Sequence, residues 1–289
     1  MAFFKIRKAK VDWTAEMLPR NRKELFFDIF KLHFFNFLYY GLFLLILSFP
    51  MHLLALVNDL YESNMFSVVT EMTTKEELTN IYSNVILFKN STAIIIIPLF
   101  CLFGVLFSGF ARVIRQYSYL ENVSFWHDYV LGIKQNWKQY LLLSLCSGIL
   151  YSVIIIGINN NSLSPDSNIL FLIFLGFTII FILPILAITS ILIPTYNNTF
   201  FTNIKIAVSL FLKNPFKVLG VMILCSLIYI PYFIPDFYTH IFGRLLATIF
   251  TPFVVLIFYL VCLNMFDKTI NSRQFPEAVG RGLYKEKNL

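Results

Sequence analysis

Six stretches of the chain contain no Asp, Glu, Lys or Arg: Phe34 to Val57, Thr92 to Ala111, Gln139 to Ile158, Ile169 to Pro194, Val218 to Pro235 and Leu245 to Phe266. Each approaches or exceeds the roughly 20 residues that carry a helix across about 30 Å of hydrocarbon. Inside lipid every backbone N–H and C=O must find a partner within the protein, so uninterrupted apolar stretches of this length form helices and not strands. The pattern predicts an all-α, polytopic membrane protein of six transmembrane helices, with residues 1–289 as a single membrane domain and 34–266 as its membrane region.

Apolar residues at helical spacing precede each odd-numbered span. Leu25, Phe26, Ile29 and Phe30 lead into the first, against Lys23, Glu24, Asp28 and Lys31. Val123, Trp126, Val130, Ile133 and Trp137 lead into the third, with Glu121, His127, Asp128 and Lys134 between them. Phe200, Ile204, Val208 and Phe211 lead into the fifth, opposite Asn203, Lys205 and Ser209. The expectation is a set of cytoplasmic amphipathic helices lying at the membrane interface, or else extensions of the spans packed on their neighbours. Ile133 to Lys138 also aligns with Leu212 to Lys217, a register that places Cys146-Ser147 on Cys225-Ser226. That is either a repeat of interfacial helix, basic turn and two spans, or chance similarity among apolar segments. Residues 159–168 and 236–244 are expected to be short connectors. The long 58–90 segment is different: Thr74 and Glu77 have capping-box spacing ahead of Leu78, Ile81, Tyr82 and Val85, which predicts an outer helix running into the second span.

Composition agrees with the pattern. Only 13% of residues are charged and 58% are hydrophobic, whereas about 25% are charged in a soluble domain. The basic residues are distributed unevenly: eight precede the first span, four lie in 112–138, three in 195–217 and five after Phe266. Of the 23 Lys and Arg, only Lys75, Lys89 and Arg244 fall in the intervening loops. Positive loops stay on the cytoplasmic side, so residues 1–33 and the tail 267–289 are expected to be cytoplasmic in a multi-pass protein of the cell membrane. The net charge of +7 has no isolated basic domain behind it, so an anionic lipid surface is the expected partner and nucleic acid is not. The charged lead and the length of the first apolar run argue against a cleaved signal, so the first span is expected to remain.

Candidate chemistry is sparse. Ionisable groups within spans commonly mark ion, proton or substrate sites, and none of the six stretches contains a carboxylate, lysine or arginine. His52 lies near the outer end of the first span and reads as a solvated or hydrogen-bonded structural residue. His33, His52, His127 and His240 are scattered, Cys101, Cys146, Cys225 and Cys262 form no C-x-x-C pair, and there is no G-x-S-x-G, Walker or G-x-G-x-x-G motif. No catalytic, metal-binding or cofactor-binding residues are therefore expected, and no cofactor. Pro50, Pro98, Pro184, Pro231 and Pro252 would kink spans, for packing or for gating. Gly104 with Ser108, and Ser144 with Gly148, are small-x-x-x-small pairs that permit close helix approach. Trp137, Tyr140, Tyr196 and Tyr232 sit at span ends, as in aromatic belts. Lys134, Lys138, Lys213 and Lys217 are the candidate contacts to lipid headgroups. Asn90-Ser-Thr92 and Asn160-Asn-Ser162 match glycosylation sequons, but the abundance of Ile, Asn, Lys and Phe is that of an AT-rich bacterial genome, where they would go unused.

Three segments resemble the YesL-like family of bacterial membrane proteins, domain of unknown function 624. Leu47-Ser-Phe-Pro50 is similar to the close of the family's first helix, Phe125 to Gln139 to its interfacial stretch, and Asn203 to Lys217 to its later counterpart. The long 58–90 segment and the extended tails depart from it. The resemblance implies no catalytic residues and, at most, an accessory role near a carbohydrate transporter. The expected function is thus a non-enzymatic accessory or scaffold protein. The alternatives are a small transporter or lipid-handling protein for a neutral solute, and a membrane enzyme using Asp128 with His127.

Overall fold

The computed structural model describes residues 18–69, 73–161, 169–233 and 237–284. Among them the regular structure is entirely helical. Helix α1 (Arg22–Ser67) is followed by α2 (Lys75–Ser118) and α3 (Phe125–Asn161). A fourth traverse is built from α4 (Ile169–Phe177), a π-helical turn (Thr178–Ile182) and α5 (Leu183–Thr195). Then come α6 (Phe200–Lys213), α7 (Pro215–Ser226) with a 3-10 continuation (Leu227–Phe233), and α8 (Phe237–Phe266). A π turn (Asp267–Asn271) leads from α8 into a short tail.

Five of these elements are long and apolar enough to cross a membrane, and α6 with α7 would make a sixth, bent by 98° at their junction. The ends of the chain decide how the bent pair counts. The backbone N–H of Tyr284 donates to the Pro19 carbonyl at 3.0 Å, so both ends of the described chain lie on one face of the bundle, here called the terminal face. A chain that starts and finishes on the same face makes an even number of traverses, so α7 and its 3-10 continuation form one. Twelve α-helical residues and seven 3-10 residues reach about 32 Å, because the 3-10 helix rises about 2.0 Å per residue against 1.5 Å in the α-helix. The expected six-span architecture is the one observed.

The boundaries differ from expectation where long helices ignore the membrane edge. The 58–90 segment is chiefly two helical extensions: from Phe34 to Ser67, α1 is about 50 Å long at 1.5 Å per residue, well beyond a hydrocarbon core of about 30 Å. Its distal part pairs with the start of α2, where Tyr61 stacks on Phe88 at 4.0 Å, Phe66 meets Tyr82 edge-on at 4.9 Å, and Lys89 pairs with Glu62 at 2.7 Å. The expected capping box opens α2: Thr74 accepts from the Glu77 N–H at 3.3 Å, and the Glu77 carboxylate accepts from the Thr74 N–H at 2.9 Å. The presumed 236–244 connector is also largely helix, because α8 starts at Phe237.

Of the three amphipathic segments, the first and last pack into the bundle. Leu25 and Ile29 are fully buried, and the backbone leaves helical geometry at His33 (φ −123°, ψ 17°), where the first span was expected to begin. On α6 the buried face is Phe200, Asn203, Ala207, Leu210 and Phe211, so Asn203 lies on the inner face and not, as expected, on the outer one. The segment before the third span is no separate interfacial helix: α3 runs unbroken from Phe125 to Asn161. Its expected apolar stripe is divided: Trp126, Val130 and Trp137 are exposed, Val123 and Ile133 pack on the core, and Asp128, Tyr129 and Gly132 turn inward.

The antiparallel α2–α3 pair uses the small residues singled out in the sequence. A side chain at Gly104 would collide with Ser144, one at Gly109 with Tyr129, and one at Gly148 would press on Phe100 and Ile97. The Ser152 hydroxyl reaches the Ala93 carbonyl across the same interface. Close approach with interhelical hydrogen bonds is how helices associate in lipid, where apolar contact alone gives little advantage. The same device joins α1 to α8, where Gly41 lies directly against the Ile249 carbonyl. Between the two ends, Phe37, Phe110, Ile114, Leu192, Leu256, Tyr259 and Leu263 are almost completely buried.

Candidate functional site

Polar side chains gather at the two ends of the bundle. At the terminal face, buried Arg22 is the hub. Its guanidinium donates to the Ser118 and Arg281 carbonyls at 3.1 and 2.9 Å and pairs with Asp267 at 3.0 Å. Asp267 also accepts from Asn271 at 2.8 Å, and Asn271 accepts from the Tyr196 hydroxyl at 2.8 Å. Arg115 donates to the Pro194 carbonyl at 2.9 Å, and Arg281 pairs with Glu121 at 2.8 Å while lying over the Tyr119 ring. These contacts tie the starts of α1 and the tail to the ends of α2 and α5. Burial raises the Tyr119 and Tyr196 phenols above their ordinary values, so they remain neutral hydrogen-bonding groups at physiological pH. The cluster behaves as a clasp.

A second node on the same face holds Asp128. Its carboxylate accepts from Gln116 at 2.9 Å and from the Ser124 N–H at 2.8 Å, with His127 at 3.5 Å. Burial alone would raise the pKa of Asp128, but the hydrogen bonds from Gln116, Ser124 and His127 and the charge of Arg112 outweigh it and hold the carboxyl below its ordinary value. Asp128 and His127 are thus adjacent, but the His127 side chain is 73% exposed whereas Asp128 is occupied in joining α2 to the start of α3. Gln139 performs a similar task, donating to the Asn198 carbonyl at 2.8 Å and accepting from Asn203 at 3.0 Å. The four lysines expected to meet lipid headgroups, Lys134, Lys138, Lys213 and Lys217, are all exposed.

The opposite face has a cavity of about 190 Å³ between α1, α2, α3 and α8. Its floor is apolar, formed by Leu54, Ala93, Ile96 and Ile155, and its walls are polar, formed by Asn58, Asp59, Lys89, Thr92, Asn159 and Arg244 with Tyr151. Asp59 forms a close ion pair with Arg244 and lies 4.0 Å from His240. Thr92 donates to Asn58 at 2.8 Å, and Asn159 donates to Asn90 at 3.0 Å. Just below, His52 and Thr248 share a hydrogen bond of 3.1 Å. Its charged members, Asp59, Lys89 and Arg244, each lie just outside an expected span, so the uncharged stretches themselves gave no sign of the site. The signal was present: Lys89 and Arg244 are two of the three basic residues on the sparsely charged side, and Asp59 and Glu62 follow the first span closely enough to pair with them.

On the α1–α8 side Gly41 lies against the Ile249 carbonyl, with an aromatic core nearer the terminal face. Mid-bundle hydroxyls are turned back on the helices: Ser144 donates to Tyr140, Thr189 to Ile185 and Ser108 to Val105, in each case to the backbone carbonyl. Among the described residues no three His, Cys, Asp or Glu side chains gather as a metal site. No family model, curated protein or solved structure matches this chain.

Proposed function

We propose that this chain is a non-enzymatic accessory or scaffold protein of the cell membrane, acting by contact with another membrane protein, with its termini on the cytoplasmic side. The observation that carries the reading is the separation of its polar groups. Those at the terminal face are engaged in holding the fold, those at the opposite face line a shallow cavity, and a largely apolar middle lies between them. A pathway for an ion or proton would call for ionisable groups continued through that middle, and the six stretches hold no carboxylate, lysine or arginine. The excess of Lys and Arg in the segments joined at the terminal face supports the orientation. The resemblance to the YesL-like family adds carbohydrate uptake as the setting, with a carbohydrate transporter as the partner.

The fourth traverse supports action through contact. None of the nine residues of α4 is buried, and Gly176 has nothing within 4 Å of where a side chain would begin. Leu170 is 80% exposed, so this helix presents an entire apolar side outside its own bundle. A photo-crosslinking residue at Leu170 should trap a discrete membrane protein in intact cells, whereas one at exposed Leu42 on α1 should trap lipid alone. Crosslinks to lipid alone from both positions, together with purification free of any stable partner in mild detergent, would refute the proposal.

The cavity supports a second reading, a small transporter or carrier for a neutral solute. Its charges are internally paired, so it favours hydrogen bonding over net attraction of ions. Solute flux through reconstituted vesicles that is abolished by Arg244→Gln would favour this reading over the first.

A further inference from the structure

Another cavity, of about 340 Å³, opens on the flank of the bundle between the start of α1, α7 and α8. Its walls are Phe26, Phe27, Leu224, Ile257, Leu260 and Val261, and toward the terminal face it ends at Arg22, Lys23 and Asn264. One end is thus polar and cationic, whereas the remainder is hydrocarbon. Helical register adds two further cations at that end. On α8 the groove face runs through Ile257, Val261 and Asn264, steps of four and three that reach Lys268 after four more. On α7, Leu224 shares its face with Val221 and Lys217. Burial and then the nearby charge of Lys268 hold the Lys217 pKa below its ordinary value.

Arg22 is neutralised by Asp267, Arg281 pairs with Glu121 and Arg115 donates to the Pro194 carbonyl. Among the described residues, Lys23, Lys217 and Lys268 form no ion pair with a carboxylate, although they come from three different elements. We infer that this corner is a site for one anionic phospholipid of the surrounding bilayer, an acyl chain lying along Leu224 and Ile257 and the phosphate held by Lys23, Lys217 and Lys268. The chemistry of both ends argues for that occupant: an uncharged lipid would leave three cations clustered without a counter-charge, and a free anion would leave the apolar trough unfilled. The site goes beyond the accessory role proposed above and would exist under either functional reading.

Native mass spectrometry of the full-length protein, released from nanodiscs of equal phosphatidylglycerol and phosphatidylcholine, tests the site. The wild type should retain one phosphatidylglycerol in preference to phosphatidylcholine. The K23Q/K217Q/K268Q variant should lose that preference by about tenfold or more, as expected for three removed phosphate contacts, while the charge-matched K134Q/K138Q/K213Q variant keeps it. Ile257→Trp, which fills the trough and leaves the lysines in place, should also lose the lipid while retaining the wild-type helical signal and melting temperature. Equal retention of the two lipids, a preference that survives K23Q/K217Q/K268Q, or displacement of the lipid by millimolar inorganic phosphate alone would overturn the proposal.

Discussion

Individual side chains set the close contacts of this protein, and Gly104 is the clearest case. It lies in the close contact of α2 with α3, so any side chain there must displace Ser144 and press on the Tyr140 backbone beside it. Gly104→Leu is expected to destabilise the bundle by about 1–3 kcal/mol or more, the usual penalty for overpacking, and to lower the melting temperature in detergent. The same substitution at Gly220, which has nothing within 4 Å, should leave the melting temperature nearly unchanged. Asp128 makes a pH-dependent contribution. Its folded pKa is depressed, so its stabilising effect is complete above the ordinary carboxylate value and is lost as the pH falls through the lower folded value. Melting curves should therefore show wild type and Asp128→Asn differing most at neutral pH and converging below about pH 4; a difference that persists unchanged into acid would contradict the assignment. Much at this scale was legible in the sequence. The small-residue pairs were found because spacing alone marks them. The inward turn of Asp128 and Asn203 was not, because a polar residue in an amphipathic stretch is assigned to the outer face unless its partner is known, and Gln116 and Gln139 are distant in sequence.

At the scale of elements, the start of α2 was well marked and helix continuity was not. Thr74 and Glu77 announce the start of α2 because a capping box is a local device, satisfied within four residues. Thr74→Ala should cost about 1 kcal/mol, and hydrogen exchange should show faster opening confined to the first turn of α2; uniform acceleration along the helix would count against a local cap. The two segments that look like repeats diverge for an equally local reason. Where the first has Asn136 the second has Pro215, which lacks an N–H and disfavours helical geometry at Asn214. Asn214 accordingly sits at φ −139°, ψ 47°, and the chain bends there by 98°, while α3 continues straight through Asn136. Similar sequence thus yields an angled helix pair in one place and a single rod in the other. The expected interfacial helix is realised as a separate element only at α6.

For the whole molecule, alternation of apolar spans and basic segments foretold the six traverses, because lipid permits few alternatives for such a chain. It could not foretell that helices α1 and α2 overrun the bilayer to form a paired hairpin, nor that the charges beside the spans meet as ion pairs at both ends. Those features depend on which spans are neighbours, and hydropathy carries no record of that. The resulting division, with a clasp at the terminal face, a polar cavity opposite it and a largely apolar middle, is the basis of the functional proposal. It rests on both chain ends sharing one side, with the α1–α2 hairpin on the other. Single cysteines at Arg20, Ser67 and Glu277, in a background with the four native cysteines replaced by serine, test this with a membrane-impermeant thiol reagent. In sealed cells Ser67→Cys should label at once, whereas Arg20→Cys and Glu277→Cys should label only after the membrane is permeabilised. Labelling of one chain end from outside while the other stays protected would require an odd number of traverses and would contradict the account.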